Sequence, residues 1–74
     1  MTEQEINNLT TSECQKIIKA NSATFFELLV IHEIVFMPDT GNGFGAFNVD
    51  IKIVFRDSDP KTAVLKAIIH KKGM

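Results

Sequence analysis

One cysteine, Cys14, is present among 74 residues, so no disulfide can form within the chain. That excludes a secreted, disulfide-stapled scaffold and points to a reducing compartment. Cys14, His32 and His70 are scattered without zinc-ligand spacing, so neither a structural metal nor another cofactor is expected. Long hydrophobic runs are missing too. The most apolar stretch, Phe25 to Met37, is too short to span a bilayer and is interrupted by Glu27, His32 and Glu33. The acidic start, Met1-Thr2-Glu3-Gln4-Glu5, is wrong for a signal peptide. The expectation is a cytoplasmic protein with no membrane partner. Internal repeats, low-complexity tracts and interdomain linkers are absent as well, which leaves residues 1–74 as a single domain.

A domain of this length sits near the lower limit for a self-sufficient core, burying only roughly 60% of the surface its unfolded chain exposes. Small domains compensate with disulfides, a metal or oligomerisation. With the first two excluded, oligomerisation is left.

The net charge of −1 conceals an asymmetry, with −5 over residues 1–50 and +4 over residues 51–74. Arg56, Lys66, His70, Lys71 and Lys72 could form a basic surface for an acidic partner, or could be solvated helix positions attracted to the acidic remainder.

Two helices are marked by their caps. Thr10 and Glu13 form a capping-box pattern, and the helix that follows should run to about Ala20 with Cys14, Ile17 and Ile18 on its apolar face. Thr2 and Glu5 repeat the pattern, so a short extra turn anchored by Ile6 and Leu9 can precede it. Near the other end, Asp59 is placed as an N-cap with Pro60 in the first helical position. That helix should bury Val64, Leu65, Ile68 and Ile69, expose Thr62, Lys66 and His70, and end at Gly73 behind Lys71 and Lys72.

Between the helices lie two extended runs. Residues 25–37 are rich in β-branched and aromatic side chains, which favours a strand, although Phe25–Leu29 could equally continue a helix. As a strand, one face carries Phe26, Leu28, Val30, Ile34 and Phe36 with His32 among them; the other carries Phe25, Leu29, Ile31, Val35 and Met37, interrupted by Glu27 and Glu33. Both faces are therefore mostly apolar. After the turn residues Pro38 to Gly45, Phe47, Val49, Ile51, Ile53 and Phe55 alternate with Asn48, Asp50, Lys52 and Arg56. The alternation predicts one half-buried strand with Phe47 and Phe55 inside. The two runs make a long antiparallel hairpin.

Catalytic patterns are missing. Ser12, Ser22 and Ser58 have no nucleophile-elbow context, and His32-Glu33 lacks the second histidine of a zinc-protease helix. The glycines around Phe44 are followed neither by Lys-Ser/Thr nor by a helix, which argues against a phosphate-binding loop. The segment Gly43-Phe44-Gly45-Ala46-Phe47-Asn48-Val49 resembles the Gly-Phe-Gly-x-Phe-x-Val signature of histone-like DNA-bending proteins. It is also similar to the Gly-Phe-Gly motif of RNA-recognition domains. Both resemblances imply nucleic-acid binding. They cover seven residues, and no basic arm of the first family follows here.

These observations lead to an α+β fold: a small αββα domain in which a long hairpin packs on two amphipathic helices and dimerisation completes the sheet. The expected function is a non-enzymatic protein-interaction module, a regulator, inhibitor or adaptor acting as a homo-oligomer. Leu29, Ile31, Val35 and Met37 are the candidate oligomer interface. Phe44, either folded over the core or projecting as an anchor, joins Arg56, Lys66, His70, Lys71 and Lys72 as candidate partner contacts. The alternative is a nucleic-acid-binding regulator using the same basic surface and the Gly-Phe-Gly tip.

Overall fold

A computed structural model of the chain describes residues 1–19, 24–39, 41 and 43–73. Its elements are α1 (Glu3–Asn7), α2 (Thr11–Ile17), α3 (Phe25–His32), β1 (Ile34–Pro38), β2 (Phe44–Asn48), β3 (Phe55–Asp57) and α4 (Pro60–Lys72). The three strands form one antiparallel sheet in the order β1-β2-β3. The fold is thus a small α+β domain, with more elements than the expected αββα pattern. α2 ends at Ile17, short of the expected Ala20, which like Asn42 lies outside the described residues.

The helix starts follow from their caps. Thr2 and Thr10 each accept the backbone N–H of a glutamate three residues on, and Glu5 and Glu13 reach back to the cap amides. These hydrogen bonds hold both carboxyls below their ordinary pKa. Asp59 caps α4, accepting from the Thr62 amide at 2.9 Å with Pro60 just inside the helix, and Gly73 ends it at φ 71°.

Residues 25–32 are helical: for Phe25–Leu29 this is the helix alternative, and for residues 30–32 it corrects the expected strand. Thr24 accepts the Glu27 amide at 3.1 Å and donates its hydroxyl to the Glu27 carboxylate, so a Thr-x-x-Glu cap starts this helix too, without the reciprocal bond to the cap amide. Glu33, at φ 54°, then turns the chain into β1.

The expected strand over residues 46–56 is also two elements. Asn48 is buried, and its carboxamide accepts from the Asp50 and Ile51 amides while donating to the carbonyl of His32 at 3.0 Å. The chain turns there, Lys52 takes φ 62°, and β3 returns along β2. This turn resets the alternation. Ala46 and Asn48 point inward beside Phe55, while Phe47 pairs with Val35 on the opposite face. The expected side of Phe47 is therefore inverted.

α4 is the axis of the core. It packs against all three strands and against α1, α2 and α3. Residues Thr62 to Ile69 are buried without interruption, so the expected one-sided stripe is corrected to a helix enclosed on every side. Its two polar positions are satisfied internally. Thr62 Oγ1 bonds Asp59 and Thr11, and Lys66 Nζ donates to Asn7 O at 2.7 Å, Arg56 O at 3.0 Å and Asp57 Oδ1 at 3.1 Å.

Candidate interaction surface

The residues grouped as a basic surface are dispersed by this arrangement. Lys66 is enclosed in the core and offers nothing to a partner; the correction follows from α4 being surrounded. Arg56 projects from β3 on the outer face of the sheet, where its Nε donates to Asp39 Oδ2 at 2.7 Å. That bond, after one from the Gly41 amide, holds the Asp39 carboxyl below its ordinary pKa. His70 rests its ring 5.2 Å from that of Phe55. Lys71 donates to the carbonyl of His32 at 2.9 Å, and Lys72 is exposed nearby at the end of α4. Arg56 and the Lys71–Lys72 pair therefore stand at opposite ends of β1. Burial and then the cations of Lys72 and Lys71 push the His32 imidazole below its ordinary pKa.

Phe44 folds over the core and is not a projecting anchor. As the first residue of β2 it points inward and stacks on Phe36 with centroids 5.2 Å apart, while Phe25 meets Phe36 edge-on at 4.9 Å. Gly43 before it has φ 103°, and a Cβ there would stand 2.4 Å from the Asp57 carbonyl oxygen. Glycine is needed at that position to let the hairpin end press against the backbone of Asp57 and Ser58 at the end of β3.

Apolar surface is displayed elsewhere, on α3 and β1. Three of the four expected interface residues are exposed: Ile31 at 65%, Val35 at 40% and Met37 at 37%. Leu29, the fourth, turns back and packs partly on the core. Phe26 at 72% and Val30 at 60% are the most exposed additions. Reading residues 25–37 as a strand placed these two on the inward face. On a helix Phe26 and Val30 stand one turn apart on the side away from Leu28. The Thr24–Glu27 cap is the signal in the sequence that could have found them.

The chemistry available is limited. Cys14 is buried, which pushes its thiol pKa up and removes it as a nucleophile. Among the described residues, no three His, Cys, Asp or Glu side chains cluster closely enough to hold a metal ion. A hollow of about 220 Å³ on the outer sheet face is lined by Met37, Pro38, Asp39, Gly45, Val54 and Arg56. A second, of about 300 Å³, lies between α1 and the Ile53–Phe55 segment. The first is smaller than ordinary ligand pockets and the second only reaches their lower size limit, roughly 300 Å³. No described helix is long and apolar enough to cross a membrane. No protein-family model matches the chain, and no curated protein or solved structure matches it significantly.

Proposed function

We propose that the chain is a cytoplasmic, non-enzymatic protein-interaction module, a small regulator, inhibitor or adaptor that works as a homo-oligomer. The observation that supports this reading is the exposure of Phe26, Val30 and Ile31 on α3 and of Val35 and Met37 on the outer face of β1. Large apolar side chains exposed on two successive elements are the kind of surface that association covers.

Light scattering behind size exclusion tests the proposal on the wild-type chain and on Phe26→Asp. The wild type is expected to run as a dimer at micromolar concentration. Placing a charge at Phe26 should weaken association at least tenfold, which corresponds to about 1.4 kcal/mol. Because Phe26 is exposed, the far-ultraviolet spectrum should stay unchanged. A wild-type monomer at several hundred micromolar would remove the proposal.

A further inference from the structure

The rest of the chain treats the two edges of the sheet differently. β2 is central, so β1 and β3 each turn a row of backbone groups outward. On β3 the outward groups belong to Arg56, and both are occupied. Its amide donates to Asn7 Oδ1 at 3.1 Å, and its carbonyl accepts from Lys66 Nζ at 3.0 Å.

On β1 the pairing is fixed by the bonds that flank it. Asp39 N donates to Gly43 O at 2.9 Å, and Val49 N donates to Glu33 O at 3.1 Å. In the register Val35↔Phe47 and Met37↔Gly45, these bonds make the odd-numbered residues the ones that exchange with β2. The amides and carbonyls of Ile34 and Phe36 therefore point away from β2. Among the described residues, no other element hydrogen-bonds to them. Pro38, the next outward position, has no N–H and blunts only the far end of the strand. The middle has neither a lysine nor a bulge, the usual protections of an edge.

We propose that a second copy of β1 completes this edge, antiparallel, about a two-fold axis through Val35. The inference rests on the homo-oligomeric reading above and specifies its geometry. Among symmetric registers, the one pairing Ile34 with Phe36 of the other copy matches every outward amide and carbonyl of these two residues. Centring the axis one residue later would set Ile34 opposite Pro38, leaving the Ile34 carbonyl facing a residue without an N–H. The sheets then join into one of six strands, with both copies of α3 on the same side of it. Face-to-face stacking of the two outer sheet surfaces is disfavoured, because it would strip water from the Arg56–Asp39 pair.

Val35 and its symmetry mate form a non-hydrogen-bonded pair, the position where Cα atoms approach to about 4.5 Å. That spacing lies within the roughly 4.4–6.8 Å a disulfide spans. The test is oxidation of Val35→Cys, with Met37→Cys as the control of equal exposure, read on non-reducing gels beside light scattering of the wild type. Cys14 is buried and does not compete. Expected are a dimeric wild type, near-complete interchain disulfide for Val35→Cys, and at least tenfold slower cross-linking for Met37→Cys. Hydrogen exchange of the Ile34 and Phe36 amides should also slow as protein concentration rises. A dimeric wild type in which the two cysteine variants cross-link equally slowly overturns the edge pairing and leaves the oligomer reading intact. A monomeric wild type overturns both.

Discussion

Lys66→Ala removes an ammonium that is 2% exposed and ties α4 to two other parts of the chain: Asn7 at the end of α1, and Arg56 and Asp57 of β3. Removing one partner of a buried, hydrogen-bonded charge pair costs about 3–5 kcal/mol. Here Asp57 keeps 21% of its side-chain surface in water and can rehydrate, which lowers that contribution. Against this, two carbonyls lose their donor, each worth about 1–3 kcal/mol if it stays dry, and the buried aliphatic stem leaves a void in the core. The expected total is about 3–5 kcal/mol by the same generalisations. A domain of this length has roughly 4–11 kcal/mol to lose, so the variant should lose at least about a quarter of its stability, and a wild type near the lower bound would be left largely unfolded at room temperature.

Lys66→Met keeps most of the volume and loses only the polar bonds, for which about 2–3 kcal/mol is expected. The corresponding fall in Tm is roughly 8–24 °C for a domain of this size. The assay is thermal and urea unfolding followed by circular dichroism, at one fixed protein concentration because association shifts apparent stability. Lys16→Ala, on the exposed side of α2, serves as the control and should change stability by less than about 0.5 kcal/mol. A Lys66→Ala variant as stable as that control would refute the enclosure of α4 and return it to the surface of the domain.

Two further perturbations probe the turns and the pH response. Gly43→Ala forces a side chain onto φ 103° and against the Asp57 and Ser58 backbone, so it should cost at least about 1–3 kcal/mol. Gly41→Ala, with no atom nearer than 3.7 Å, should stay within about 0.5 kcal/mol; equal urea midpoints for the two variants would refute the hairpin geometry. His32 has a folded pKa below its ordinary 6.5, so the unfolded chain binds its proton more readily. Its contribution to stability is complete above about pH 6.5 and is lost as pH falls from there through the lowered folded value. Between pH 7.5 and 5.0 the wild type should therefore lose more Tm than His32→Gln; equal losses would show that His32 is not the group titrating. Glu5, Glu13 and Asp39, whose folded pKa values are also lowered, act in the same direction but only in the more acidic carboxylate range.

Helix starts were legible wherever a side chain closes the first turn by itself. Thr10–Glu13, Thr2–Glu5 and Asp59–Pro60 all stand where their local chemistry puts them. Thr24–Glu27 carries the same information, but the β-branched residues from Val30 to Val35 outweighed it in a reading by composition. Propensity is a weak prior that a cap and tertiary contacts override. On α4, marking only Val64, Leu65, Ile68 and Ile69 as apolar overlooked Ala63 and Ala67. With both alanines counted, six of the eight residues from 62 to 69 are apolar, which is the pattern of a helix buried all round. Lys66 within that pattern was then a question about internal partners and not about solvent. Those partners, Asn7, Arg56 and Asp57, are up to 59 residues away in sequence, and no local rule could supply them.

The interaction surface depends on a different kind of information. Period-2 alternation over residues 47–55 is genuine, yet it describes the two sides of one strand only if the chain runs straight through Asn48. Asn48 is a polar residue in an alternating series, which is how a wet strand position looks. It is also a turn former whose side chain can replace a backbone bond. The second role prevails because the Asn48 carboxamide meets four backbone groups at once: two amides ahead of it in the turn and the carbonyls of His32 and Glu33 on the neighbouring segment. The two carbonyls belong to the end of α3, so the turn cannot be recognised until residues 25–32 are helical. The two errors are therefore one. Once α3 is a helix, Asn48 has partners, the strand breaks into β2 and β3, and Phe47 moves to the outer face. β3 then occupies the second side of β2 and leaves β1 as the edge without a neighbour. The unfinished surface moves from both sides of a two-stranded hairpin to the outward groups of Ile34 and Phe36, flanked by Val35 and the exposed side of α3, and there the proposed self-association is narrow enough for a single cysteine to test.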